Sequence, residues 1–196
     1  MRIGLSTRVA LATCLVLCAP GSAHAAAACQ GADGLPGQTP DAVVRSATLC
    51  LMNSERGARG LAELRSHPAL ASAAGRYARQ MVSERFFAHT SPRGSTVLSR
   101  IRGTAYLRGA PAWTVGENIA AGGGTLATPR AIVEAWIESP GHRANLLSPC
   151  FRDVGIGIAS GMAAQQADAG IAGTYVSDFG RRSARRCTDA TARTAR

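Results

Sequence analysis

The chemistry this sequence offers rests on His89, Glu117 and His142. His142 sits in Ser139-Pro140-Gly141-His142-Arg143-Ala144-Asn145. Serine followed by proline starts a helix: the hydroxyl can accept from a first-turn N–H, and proline has no N–H to lose at the first helical position. His142 therefore falls in a first turn. The positive helix end there favours the neutral imidazole, the form that ligates a metal or accepts a proton. His89 follows Phe86-Phe87-Ala88 and precedes Ser91-Pro92-Arg93-Gly94, which has turn chemistry. Glu117 lies between Gly116 and Asn118 in an otherwise apolar stretch. A lone carboxylate is costly to bury, so a histidine or a bound cation is the partner to look for. Taken singly, each of the three is as well explained as an ordinary surface residue.

The elements that must position them can be read from periodicity. Asp41 can cap a helix in which Val44, Ala47, Thr48 and Leu51 share a face, ending near Gly57 to Gly60. His67-Pro68 opens a second helix with the apolar face Leu70, Ala74, Tyr77, Ala78 and Met81, which makes His67 structural. A short helix spans Val97 to Arg102, followed by a loop through Gly103, Gly109 and Pro111. Trp113 to Ala120 has strand content, and Gly116 inside it marks a bulge or a close approach. Gly122-Gly123-Gly124 reads as a flexible break. Thr128-Pro129 starts a helix carrying Ile132, Ala135 and Trp136 on one face, which leads into the helix of His142. Val154 to Ile158 and Tyr175 to Phe179 read as strands joined by a hairpin loop from Ser160 to Gly173. Helices come first and strands mostly later, so an α+β layered domain is expected, and β-α-β alternation is missing.

Composition sets the compartment. Of 196 residues, 46% are hydrophobic and 17% charged, an ordinary globular balance for one domain. Arg2 and Arg8 precede an apolar run from Val9 to Ala19, and Ala23-His24-Ala25 supplies small residues for cleavage. Residues 1–25 read as a signal peptide, residues 26–40 as a leader, 41–180 as the domain, and 181–196 as a basic tail. The apolar run is too short for a stable transmembrane anchor. The mature chain is expected to be secreted, extracellular or periplasmic. A lipid anchor at Cys29 is a competing reading, although Ala26 is a poor lipobox residue.

Past the signal, four cysteines remain, and two disulfides are the default in an exported chain. Three connectivities exist. Cys29–Cys50 with Cys150–Cys187 is preferred, because each ties an extension to the core through a short loop. No Cys-x-x-Cys spacing suggests zinc held by cysteine. The net charge of +10 is carried by arginine alone, with six arginines in the last sixteen residues (181, 182, 185, 186, 193 and 196). Such a tail could meet an anionic cell-surface polymer, or simply be a solvated terminus. Nucleic acid is excluded as a partner by the few aromatics and the absence of a binding motif.

The motifs together resemble a known family. Gly116-Glu117-Asn118-Ile119-Ala120 followed by Trp136-Ile137-Glu138-Ser139-Pro140-Gly141-His142-Arg143-Ala144-Asn145-Leu146-Leu147 is similar to the CAP superfamily (cysteine-rich secretory proteins, antigen-five, pathogenesis-related-one), in its bacterial exported SCP-like branch. Asn53-Ser54-Glu55-Arg56, Phe87-Ala88-His89-Thr90-Ser91-Pro92 and Val154-Gly155-Ile156-Gly157 add to the match. The resemblance implies a three-layer α-β-α sandwich with a central antiparallel sheet and a cleft. In many members two histidines and two glutamates there can bind a divalent cation such as zinc. His89, Glu117 and His142 fall on three of those positions. The fourth falls on Ser139; Glu138 is one residue early, which rotates it by about 100° on a helix, and Glu134 precedes Trp136 by two. Arg93 replaces an acidic residue frequent after the first histidine.

Three functions follow as expectations. The cleft could bind a small ligand (a lipid, glycan or wall fragment), with or without a cation. It could act as a metal-assisted peptide or ester hydrolase using Glu117, His89 and His142 as candidate catalytic groups. No activated nucleophile is visible for that role, since Ser91 and Ser139 are explained by turn and cap. The three residues could also simply tie strand to helix through hydrogen bonds.

Overall fold

The computed structural model describes residues 29–163 and 170–183. The expected signal peptide, Cys187 and the tail beyond Ser183 lie outside them. Helix α1 (Asp41–Gly57) buries Val44, Ala47, Thr48 and Leu51, the face that the spacing predicts. Its N-cap is Pro40 rather than Asp41; Asp41 lies in the first turn and pairs with Arg45 one turn on. Strand β1 is two residues long (Arg65–Ser66). Helix α2 (Pro68–Ser83) is capped by His67, whose Nδ1 accepts from the Ala69 N–H, and it buries Leu70, Ala74, Tyr77, Ala78 and Met81. Helix α3 (Val97–Arg102) begins with a reciprocal Thr96–Ser99 capping box.

Strand β2 runs Ala112–Gly123, so two of the three consecutive glycines extend the strand. The break comes only at Gly124, where positive φ turns the chain into a 3-10 helix (Gly124–Ala127). Helix α4 (Pro129–Glu138) is capped by the Thr128 hydroxyl. Helix α5 (Pro140–Leu146) starts at Ser139 as expected, but the serine hydroxyl makes no capping bond. Strands β3 (Asp153–Ser160) and β4 (Ala172–Ser183) complete the sheet, β4 running further than Phe179 and taking Arg181 and Arg182 into the domain.

The sheet order is β1-β3-β4-β2. The three long strands are antiparallel; the short β1 is parallel to β3. Alternation along β4 sends Tyr175 and Phe179 into one core with Trp136, Met52, Leu146 and Ile156, under α1, α4 and α5. It sends Val176 into the other core with Tyr77, Ala78, Met81 and Ile119, under α2. The result is a three-layer α-β-α sandwich.

Two seams hold the layers in register. On the α2 side, an added Cβ on Gly155 or Gly157 of β3 would fall onto the helix backbone at Leu70–Ala71 and Ala74–Gly75, so glycine lets helix and strand touch directly. On the opposite side, Arg56 of α1 is fully buried and donates to the carbonyls of Ala62, Leu146 and Ser148, tying α1 to the end of α5. Asn53, one turn earlier, exchanges hydrogen bonds with both backbone groups of Leu64.

The leader is docked. Cys29 is bonded to Cys50 of α1 with an S–S distance of 2.00 Å, which commits the sulfur that a lipid anchor would need. Asp33 pairs with Arg130 of α4 at 2.8 Å. Cys150 is disulfide-bonded too. Among the described residues no helix is long and apolar enough to cross a membrane.

Candidate functional site

β2 is the edge strand, and the site forms where the two helical layers meet across that edge. Edge strands leave backbone carbonyls without a strand partner. Here side chains supply the donors: Asn145 of α5 to the Glu117 carbonyl at 3.1 Å, and Trp136 of α4 to the Ile119 carbonyl at 3.3 Å. Asn118 donates to the His142 carbonyl at 2.9 Å and accepts from Asn145 at 3.0 Å. The helix that carries His142 is thus bolted to the strand that carries Glu117. Gly116 permits this closeness, because a Cβ there would meet Phe151 at 2.8 Å and the Asn145 amide oxygen at 3.2 Å.

Glu117 points toward the α2 layer, with its side chain only 2% exposed. His89 Nδ1–H donates to its Oε1 at 2.8 Å, and Arg100 of α3 donates to Oε2 at 2.5 Å. Arg100 is 8% exposed on its side chain and lies flat on the Tyr77 ring, 3.3 Å from the ring centre. It also donates to the carbonyls of His89 and Ser95. Tyr77 in turn donates to the Ala88 carbonyl at 2.6 Å. The loop carrying His89 is therefore fixed by α2 and α3 together. Ser91, buried beside it, uses its hydroxyl to accept from the Ser95 N–H, which closes the turn.

Asp178 completes the base of the site. It stands opposite Glu117 in the β2–β4 register and is fully buried. Burial first, and then the negative Glu117, hold its carboxyl well above the usual range against the opposing pull of Arg100. Neither of its oxygens accepts a hydrogen bond. Asp178 therefore favours its protonated form beside Glu117. Arg100 pairs with the Glu117 carboxylate itself.

The two imidazoles are tuned in opposite directions. The hydrogen bond to Glu117 raises the His89 pKa despite partial burial. Burial, followed by the proximity of His89, lowers that of His142. His142 makes no side-chain hydrogen bond among the described residues. Its neutrality, expected from the helix end, has burial as its main cause. His89 is 56% exposed on its side chain, so its Nε2 edge faces solvent. Phe87, two residues earlier, exposes a large apolar ring at the same rim.

A divalent cation shared by His89, His142 and Glu117 does not fit this arrangement. Both Glu117 oxygens are engaged, and the Arg100 guanidinium fixes a positive charge beside them. Among the described residues no group of three or more histidine, cysteine, aspartate or glutamate side chains is gathered to hold a metal. Glu138 and Glu134 are both exposed on α4, and no contact joins either to the group.

The cleft motifs and the fold around them are matched by the model of the cysteine-rich secretory protein (CAP) family, over residues 49–177. The chain belongs to this family. Among curated proteins it is similar to the uncharacterized protein YkwD of Bacillus subtilis (strain 168), 35% identical over 109 residues, 55% of this chain and 39% of the relative. The chain thus spans about two fifths of that relative's length. Among solved structures it is similar to an extracellular SCP-domain protein of Bacillus anthracis str. Ames, with TM-score 0.55, 27% identity, and coverage of 74% of this chain and 44% of that one. It is also similar to an outer surface protein of Borrelia burgdorferi, with TM-score 0.51, 25% identity, and coverage of 67% of this chain and 87% of that one. These likenesses agree with a bacterial CAP-like branch.

Proposed function

We propose that this CAP protein is exported and acts as a binding module, holding a small lipid, glycan or wall fragment between His89 and His142. One arrangement supports the reading most: the largely exposed His89 ring is hydrogen-bonded to the buried Glu117–Arg100 pair, and His142 rides on the helix that Asn118 and Asn145 bolt to the same strand, with the first imidazole's pKa raised and the second's lowered. The raised pKa of His89 favours its protonated ring, a donor, and the lowered pKa of His142 favours a neutral ring able to accept. Phe87 adds apolar contact at the rim. Such a pair suits a ligand with adjacent acceptor and donor groups on an apolar frame. Export is supported by the charged and apolar start of the sequence, by the Cys29–Cys50 disulfide and by the extracellular and outer-surface relatives.

A hydrolase would have to activate a water, because among the described residues no serine, threonine or cysteine is hydrogen-bonded to either imidazole. A cation-dependent reading would need Glu117 to release Arg100. The purely structural reading is separated by experiment. Mature protein, purified without a histidine tag, is extracted for co-purifying small molecules and titrated with zinc, wall fragments and lipids. The expected result is a ligand retained by wild type and lost from the His89→Ala, His142→Ala double variant at unchanged melting temperature, with no stoichiometric zinc. Unfolding of that variant would favour the structural role instead, and stoichiometric zinc lost with the two histidines would favour a metal site.

A further inference from the structure

A second cleft lies at the far end of the sheet, away from the histidines. It measures about 370 Å³ and is lined by Arg102, Gly103, Thr104, Leu107, Arg108 and Trp113. Its base is the start of β2 and the end of β4, where Trp113 and Arg182 are cross-strand neighbours on one face of the sheet. The Arg102 guanidinium lies 5.6 Å from the centre of the Trp113 ring. Arg182 lies 6.0 Å from the Tyr106 ring and holds the loop by donating to the Arg108 carbonyl at 3.0 Å. Arg102 and Arg108 are exposed, and no ion pair engages Arg102, Arg108 or Arg182 among the described residues. The acidic group facing this end, Asp153, already accepts from the Tyr106 hydroxyl at 2.8 Å.

Arg102 and Arg108 line the cleft beside the half-buried Trp113 indole, with Arg182 as its cross-strand neighbour, and these three guanidinium groups, which outnumber the one nearby carboxylate of Asp153, form an anion-attracting pocket with a ring platform. We infer that this cleft binds an anionic glycan, of the kind whose sugar rings carry carboxylates. In such a polymer charge and ring belong to the same unit. A sugar laid on Trp113 brings its carboxylate within reach of Arg102, and Arg108 meets the next one. A single-stranded nucleic acid would call for a succession of aromatic platforms, and the cleft has one. A lipid headgroup would leave the indole without a ring partner. Arg182, which the sequence places in the Arg-rich tail, lies in β4, so every residue of the site belongs to the folded domain.

The chain contains two tryptophans, and Trp136 is buried at 1% exposure, so a change in tryptophan emission on ligand addition reports Trp113. The test titrates the mature chain with polygalacturonate, and with dextran, polyphosphate, oligothymidylate and phosphatidylglycerol vesicles as comparisons. Polygalacturonate is expected to change the emission and to bind at least about tenfold more tightly than each comparison. The Arg102→Gln, Arg108→Gln double variant, altered only at exposed side chains, should lose about tenfold or more in affinity with an unchanged melting temperature, and Trp113→Leu, read by calorimetry because it removes the reporter, should lose about as much. Undiminished binding by the arginine variant overturns the site. Polyphosphate binding as tightly as polygalacturonate overturns the ring platform. Tighter binding to oligothymidylate or to vesicles overturns the ligand class.

Discussion

Asp178 stands directly across the β2–β4 pair from Glu117, whose carboxylate pairs with the Arg100 guanidinium. A buried acid beside a buried carboxylate keeps its proton, because ionising it would place two like charges side by side with little solvent. The cleft base is then one ion pair with an acid beside it whose protonated form burial favours, and its properties can be tested one group at a time.

The pH dependence of stability reports Asp178. A carboxyl whose folded pKa is raised above its ordinary 3.8 contributes stability that is complete below 3.8 and is lost as pH rises through the folded value. Asp178→Asn keeps the shape and polarity of the side chain and removes the titration. The variant should be at least as stable as wild type at neutral pH, and its stability should decline less between about pH 4 and 8. Urea unfolding across that range measures both, and a strongly destabilised variant with an unchanged slope would mean an ionised Asp178.

Glu117 and Arg100 should behave as a coupled pair. Glu117→Leu strands a nearly buried guanidinium, and Arg100→Met strands the carboxylate. Breaking a buried pair from one side costs on the order of 3–5 kcal/mol, whereas replacing both partners by apolar groups costs much less. The double variant Glu117→Leu, Arg100→Met is therefore expected to be more stable than the sum of the single losses predicts, as read in a double-mutant cycle.

Histidine titrations followed by NMR should separate cleanly. His89 is expected to titrate above 6.5 and His142 below it. The raised His89 contributes stability below 6.5 that fades as pH climbs through its folded pKa; its exposure keeps that contribution small. The lowered His142 acts with opposite sign, its contribution being present above 6.5 and lost as pH falls through its folded pKa. His89→Gln removes a neighbouring positive charge and should raise the His142 value. An unmoved His142 would mean that the two rings are not in electrostatic contact.

Arg56→Met tests the buried tie between α1 and the end of α5. Hydrogen bonds to charged donors contribute on the order of 1.5–3 kcal/mol each, and Arg56 makes three to carbonyls. A loss of about 3 kcal/mol or more is expected in chemical denaturation, and lysine, which lacks the fork, should rescue it only in part.

The helix faces of α1 and α2 were legible because burial follows the 3.6-residue period. The proline-marked starts were legible because proline tolerates only the first turn. His89, Glu117 and His142 stood out by type, each being costly or unusual in its setting. Arg100 did not, since one arginine among 22 basic residues carries no signal until a helix lays it on Tyr77. Asp178 carried the same signal as Glu117, a carboxyl within an apolar strand, and could have been singled out on that ground. Its partnership with Glu117 depends on strand register, which the sequence does not display. Asn118 and Asn145 lay inside the family motifs, but their task of satisfying an edge strand emerges only once β2 is seen at the edge. The unused Ser139 hydroxyl has the reverse explanation: a proline-led turn can start a helix without its cap.

Gly155 and Gly157 project nothing into the cleft, yet they set its height. They act as a shim of zero thickness between β3 and α2, and α2 carries Tyr77, on which Arg100 rests. Thickening the shim by one methyl group lifts Tyr77, then Arg100, then the grip on Glu117 and His89. A genetic screen for inactive variants should therefore return these two glycines alongside the cleft residues, and alanine at either should read as a defect in ligand capture that begins on the far side of the molecule from His142.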